Sequence, residues 1–355
     1  MKLNLPLRCA RDLSIVAVTE RLFSGLFIDT PQILNSGWIS ALGGAVLCLP
    51  MVWLGDRFIK AHSPRPVADS LAESAGAGWT RLLAAVLCLT LLYDFAAVMR
   101  LNNNSASYVA LSNVSATFQI LPLVLVMLFS AWKNGQTAGS AALLWMRLFP
   151  FLFVISLILQ WTSLQPRWLL PVLGPGLRQL GKGTLSAAGW IAPIAAAWLA
   201  SEPGKEDLRK NLPLSRAVFF IGAAASVFLA ILAMMSPADV FGNPTRSFQF
   251  DKLLSNGRVA LMLQLPMTLL WFNGTLFMLL FDLFLSAKML QIVLPRLDGR
   301  LALCACALAG GAIALSGWAE QYLVQWVGRW QYLIVSVPFA ATLGIALIRK
   351  GGKTA

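Results

Sequence analysis

The sequence predicts an all-α polytopic membrane protein with ten transmembrane helices, arranged as five plus five in inverted repeat, with both termini cytoplasmic. Three observations predict it. Of 355 residues, 58% are hydrophobic and only 12% charged, with mean hydropathy +0.71, whereas a soluble domain keeps about a quarter of its residues charged. The apolar residues gather in ten runs close to the ~20 residues that cross a bilayer, at roughly 12–30, 33–55, 80–101, 116–132, 140–161, 185–201, 215–235, 257–286, 302–317 and 331–349. Lys and Arg alternate between the connecting segments, eighteen on one side against seven on the other, with Arg21, Arg100 and Arg147 inside spans. The basic excess marks the cytoplasmic side.

These observations also exclude function classes. A net charge of +13 would suit nucleic acid if it lay in one stripe. Here it is divided into short clusters between apolar runs, so it is a topology signal, and the expected surroundings are a lipid bilayer with no nucleic-acid partner. The start, MKLNLPLRCARD, is short and basic with no small-residue cleavage site after it, so no cleavable signal peptide is expected. Cys9, Cys48, Cys88, Cys304 and Cys306 mostly sit in apolar runs as small hydrophobes. Cys304-Ala-Cys306 lacks further ligands, since His62 is the single histidine and lies in a basic loop, so no metal site is expected. With no nucleophile–base arrangement and no phosphate loop, the chain is not expected to be an enzyme. It forms one transmembrane domain over 1–355, with repeat one at about 12–161 and repeat two at about 185–349.

Span one contains TERLFSGLFIDTP, Thr19 to Pro31, which places Glu20 and Arg21 at mid-depth ahead of Ser24 and Gly25. Each charge costs about 2.5–3.5 kcal/mol at the bilayer centre if it faces lipid, so both must face protein or water. Consecutive helical residues point about 100° apart, so the two need separate partners. Candidates are Asp94 and Arg100 in span three, Asp282 in span eight and Glu202 at the end of span six. Two readings stay open: these charges touch a solute pathway, or they form a structural ion pair locking span one against span three.

Spans two and four carry no charge. Span three can continue towards residue 111 as one longer helix, and Asn102-Asn103-Asn104 reads as a helix end or polar loop. Span six reads LSAAGWIAP, with Gly189 and Pro193 four residues apart. Proline lacks an amide hydrogen and clashes with the carbonyl one turn earlier, here that of Gly189. The result is either a packing kink or an opened helix. Span eight is long, interrupted at Pro266, and carries Trp271-Phe272-Asn273-Gly274-Thr275. Asn273 and Thr275 either line a pocket or hydrogen-bond across helices. Trp38, Trp161, Trp168, Trp318, Trp326 and Trp330 lie near span ends as interface anchors.

An odd number of spans in each half inverts the halves, and in such transporters the first helix of each half is broken near mid-membrane. Breaks are therefore expected in spans one and six, at Ser24-Gly25 and at Gly189 to Pro193. Freed backbone groups are tolerated only where they line a cavity. Helix N-termini there receive a carboxylate and exposed carbonyls an ammonium, the two charges of an amino acid. The candidate ligand-binding set is Thr19, Glu20, Arg21, Ser24 and Gly25 from span one and Asp94 from span three. Span six adds Gly189, Trp190, Ile191 and Pro193, and span eight adds Trp271, Asn273 and Thr275.

Two stretches add a resemblance. RLFPF, Arg147 to Phe151, opens span five, and PVLGPGL, Pro171 to Leu177, follows it before the Gly-interrupted span six. Arg100 ends span three after Tyr93-Asp94-Phe95. In this order they resemble the spore germination permease family, the B subunits of Ger-type germinant receptors in the amino acid–polyamine–organocation superfamily. The resemblance implies a LeuT-like fold with a pocket among spans one, three, six and eight for an amino-acid-like small molecule. It implies an A-type membrane subunit and a C-type lipoprotein as partners, and a place in the bacterial cytoplasmic membrane or the spore inner membrane. It carries the span-one break onto Ser24 and Gly25, a pocket position onto Asp94, the span-six break onto Trp190 to Pro193, and span eight onto the stretch after Trp271. The sequence departs from the family pattern at Glu20-Arg21, at Asp29-Thr30-Pro31, and at Gln264-Leu265-Pro266, where members often carry Glu-Arg. It resembles a divergent member. The alternative expectation is an autonomous amino-acid transporter driven by a proton or sodium ion, with Glu20 or Asp94 carrying the proton. No cofactor is expected beyond such a coupling ion.

Overall fold

The computed structural model describes residues 3, 6–109, 115–132, 164–170, 172–174, 176–202, 214–235, 258–316 and 326–351, with isolated positions between 144 and 158. For some stretches, 23–34 and 258–273 among them, the backbone path alone is described. The described residues are helical almost throughout. The helices are α1 Leu7–Ile33, α2 Gly37–His62, α3 Val67–Ala75, α4 Ala77–Val109, α5 Ala116–Trp132, α6 Leu177–Ile191, α7 Ile194–Ala200, α8 Leu214–Met235, α9 Arg258–Val293, α10 Gly299–Ser316 and α11 Val337–Gly351. A π-helical segment, Val327–Ser336, runs directly into α11.

Seven helical segments among the described residues are long and apolar enough to cross a membrane. They cover Gly37–His62, Ala77–Asn103, Leu177–Ala200, Leu214–Ile231, Gly274–Val293, Gly299–Ser316 and Trp330–Arg349. The apolar part of α5, Thr117–Trp132, is shorter. Helix α1 has 27 residues, but none of its 18-residue stretches has fewer than three charged residues. The fifth expected span, 140–161, lies mostly outside the described residues. The outward faces carry large apolar side chains such as Phe118, Phe129, Leu308 and Ile348, as a lipid solvent requires.

Helix α1 lies between α6 and α9; α2 and the π-helical segment pack against α6, and α4 and α10 against α9. Small residues allow the closest approaches. Gly44 of α2 faces the α6 backbone at Ala187 and Ala188, Gly222 of α8 faces Ala45, and Gly310 of α10 leaves room for the Phe95 ring. The two glycines of PVLGPGL have φ of 55° and 110°, the left-handed region open to glycine. That explains the motif as the turn that launches α6.

Three expectations need correction. Helix α1 is continuous through Ser24 and Gly25, so span one has no break there. Glycine lowers the cost of opening a helix but removes no hydrogen bond; the disrupting residue, Pro31, sits only in the last turn of α1. Helix α9 likewise runs through Pro266 without interruption, over 36 residues. Asn102 and Asn103 are buried within α4 and do not end it, which agrees with the longer third helix. The break in span six is present: α6 ends at Ile191 and α7 begins at Ile194. It is narrow, because Ala192 and Pro193 keep right-handed helical angles. The Gly189 carbonyl, deprived of the proline amide, accepts from Ala192 N at 3.2 Å instead.

Candidate functional site

The charges of α1 define the site. Arg21 is 1% exposed and Asp94 and Asp282 are 0% exposed. Arg21 Nη1 donates to Asp94 Oδ2 at 2.7 Å, and Nη2 donates to Asp282 Oδ1. One guanidinium thus joins α1 to α4 and α9 together. A planar fork with five donors suits this task, where a lysine ammonium would engage one partner at a time. Glu20, one residue earlier and turned about 100° away, meets a different part of α9, accepting from Thr275 Oγ1 at 3.1 Å. The expectation that Glu20 and Arg21 cannot serve each other therefore holds.

Gly274 makes the α1–α9 contact feasible. A Cβ there would collide with Glu20 Oε2 and lie 2.8 Å from Trp145 Cζ2. The π-helical segment supplies the fourth wall: Gln331, fully buried, donates through Nε2 to Asp94 Oδ2 at 2.6 Å. π-helical turns recur at functional positions because the extra residue re-aims a side chain. Several atoms here remain unsatisfied among the described residues: Arg21 Nε, Asp94 Oδ1, Asp282 Oδ2 and Gln331 Oε1.

Of the expected set, the structure brings Arg21 together with Asp94, both beside Asp282, and separately brings Glu20 together with Thr275. Gly189, Trp190, Ile191 and Pro193 are buried on the neighbouring α6–α7 helix pair, where Trp190 Nε1 has no partner among the described residues. Thr19 stands apart, donating to the Ile15 carbonyl at 2.7 Å within its own helix. The side chains of Ser24, Trp271 and Asn273 lie outside the described residues. Glu202 does not join the cluster. It pairs with Lys288 at 2.9 Å, near one end of α9.

Sequence reasoning missed Gln331, which stands at the expected edge of span ten. It also missed Trp145 and Gly274 as steric neighbours of Glu20. Asp282 was visible as an intramembrane charge, although its role as the second arm of the Arg21 fork was not.

A bundle of apolar helices with a buried, partly unsatisfied polar cluster at the crossing of three of them defines a multi-pass membrane protein with a polar interior. Its likeness to a known family is direct: the family model described as spore germination protein matches residues 17–192. The match spans just under half of the chain and contains both RLFPF and PVLGPGL, so over that region the chain is similar to spore germination proteins. No curated protein matches it significantly. Among solved structures it is similar to a manganese transporter of Eremococcus coleocola, determined as a mutant with one histidine replaced by alanine. The identity is 12% and the TM-score 0.48, covering 97% of this chain and 78% of that one.

Proposed function

We propose that this chain is the permease-like subunit of a germinant receptor, binding a small zwitterion of the amino-acid class beside the Arg21 cluster to trigger spore germination. The observation that carries the reading is the buried guanidinium held between two carboxylates, with polar atoms of all three residues left without a partner among the described residues. A zwitterion can exchange into such a network, its carboxylate replacing one Asp on Arg21 while its ammonium takes the released Asp. Internal pairs become ligand pairs, so little additional charge is desolvated. The α6–α7 break and Trp190 lie on a helix packed against α1, where a ligand backbone and side chain would be sorted. An A-type membrane subunit and a C-type lipoprotein are the partners this reading adopts from the family, in the cytoplasmic or spore inner membrane. No catalytic step is assigned.

Thermal unfolding in nanodiscs against a panel of amino acids tests this. A ligand that binds only the native state adds about 2.7 kcal/mol of apparent stability at a hundred times Kd. A selective shift that disappears in Trp190→Ala and Asp94→Asn is expected. An undiminished shift in both variants would move the pocket elsewhere. The alternative, an autonomous transporter coupled to a proton or sodium ion, predicts uptake by this chain alone in liposomes.

A further inference from the structure

Helix α2 packs extensively against α8. Gly222 of α8 faces Ala45 of α2, while the Leu214 and Ser215 amides of α8 donate to the Asp56 carboxylate at 3.3 and 3.0 Å. The two helices therefore run antiparallel, and the charge of Asp56 is committed to the first turn of α8. Around that carboxylate stand three exposed cations, Arg57 and Lys60 of α2 and Arg216 of α8. None of them is in an ion pair among the described residues.

All three share one flank of the seam. At 3.6 residues per turn, Lys60, Trp53 and Arg57 lie about 40°, 60° and 100° round α2 from Asp56, in one direction. Phe219 and Arg216 lie about 60° and 120° round α8 from Gly222. Because the helices are antiparallel, these positions are on the same side. The opposite flank is closed by Val52, Ile59 and Val218, all buried, whereas Val46, Trp53 and Phe219 on this flank are exposed.

The Arg57 guanidinium lies over the Trp53 ring, 3.8 Å from its centroid. Stacking engages the face of the guanidinium and leaves its N–H donors, which lie in its plane, for a second partner. That partner must be anionic, accept several hydrogen bonds and sit where apolar surface gives way to charge. A phosphate accepts from a guanidinium in bidentate fashion, and in a phospholipid it is joined to acyl chains. We propose that this flank is a binding site for the headgroup phosphate of an anionic phospholipid. Arg57, Lys60 and Arg216 hold the phosphate, and the acyl chains lie along Val46, Trp53 and Phe219. A zwitterionic headgroup is disfavoured, because its ammonium would enter a patch of three cations.

The segment 203–213 that leads into α8 lies outside the described residues. Its Lys205, Arg209 and Lys210 outnumber Glu206 and Asp207, so its net charge has the same sign as the patch. A second stack offers an internal comparison. Arg300 of α10 lies over Trp132 of α5 at 5.1 Å, but Asp298 stands beside it, accepting from the Arg300 amide at 2.8 Å and offsetting its charge.

The test is native mass spectrometry of the full chain released from nanodiscs of phosphatidylcholine with a minority of phosphatidylglycerol. The expected result is phosphatidylglycerol retained in preference to phosphatidylcholine. Retention should fall about fivefold in each of Arg57→Gln and Arg216→Gln, and stay at the wild-type level in Arg300→Gln. Each of these residues is exposed, so thermal unfolding should be unchanged in all three variants. Equal retention of the two lipids overturns the proposal, as does undiminished retention in the Arg57→Gln, Arg216→Gln double variant. An equal fall in Arg300→Gln overturns it in favour of diffuse attraction to the whole basic rim. Displacement of the lipid by millimolar inorganic phosphate overturns it in favour of a soluble phosphate ligand. No amino acid is present and no substituted residue belongs to the Arg21 cluster, so failure here and failure of the zwitterion reading are distinguishable.

Discussion

Replacing Arg21 by methionine keeps the length of the side chain and removes the charge and all five donors. Two hydrogen bonds are lost, one of 2.7 Å to Asp94 and the other to Asp282, and at least one buried carboxylate is left without compensation. Breaking a buried pair from one side costs about 3–5 kcal/mol. At about 2–4 °C per kcal/mol for chains somewhat shorter than this, the melting temperature in nanodiscs should fall by roughly 10 °C. Arg21→Lys should lie between, since one ammonium cannot reproduce the fork. The triple variant Arg21→Met, Asp94→Leu, Asp282→Leu should recover most of the loss, because a fully apolar replacement of a buried triad is often neutral or better. It should nevertheless fail to respond to any amino acid. An Arg21→Met protein melting within about 1 kcal/mol of wild type, roughly 2–4 °C, would refute the buried fork.

Three further outcomes are expected. Gly274→Val should push α9 away from Glu20 and Trp145, costing about 1–3 kcal/mol as an overpacked contact and abolishing a ligand-induced thermal shift. Pro193→Ala should change stability by no more than about 1 kcal/mol, since the Gly189 carbonyl already has a donor; it should weaken the ligand response by straightening the α6–α7 joint, as calorimetric titration would show. Lys288→Ala should release the start of the chain. Leu3 is held there through its carbonyl by Lys288 and through its amide by Gln291 at 3.2 Å, so hydrogen exchange of the Leu3 amide should accelerate while the core stays protected.

What the sequence made legible follows from how each signal arises. Span positions rest on composition, a property of the residues themselves, and α5 and α8 fall where the apolar runs place them. The charge cluster was legible as a set because Arg21, Asp94 and Asp282 are each costly against lipid, and such groups must find one another. Which pairs with which depends on helix rotation and approach, set by Gly274 and by the π-helical offset that turns Gln331 inward, and neither has a one-dimensional signature. The break in span six was legible because proline removes a donor wherever it sits in a helix. The continuity of α1 was not, because glycine permits an opening without compelling one.

The same reasoning explains why α1 can remain straight while α6–α7 is jointed. Helix α1 carries Arg21 at its middle, and its N-terminal end adjoins Pro6, which forms a backbone bridge to Glu202 just beyond α7. Helix α9 carries Asp282 opposite Arg21 and Lys288 opposite Glu202. The two helices are thus fastened to each other at the buried cluster and connected again through Leu3 and Glu202 near one end of α9. Between those points α6–α7 packs against α1 and contains the joint. If a ligand alters the Arg21 network, α1 and α9 can tilt as rigid levers while Ala192-Pro193 absorbs the change in angle. A second broken helix in the first half is then unnecessary for motion. Cross-linking α1 to α9 at the Lys288 end should block any ligand-induced change at Trp190, measured by its fluorescence in a protein retaining this tryptophan alone. Blocking it without altering ligand affinity would show that the joint responds to the levers rather than to direct contact with the ligand.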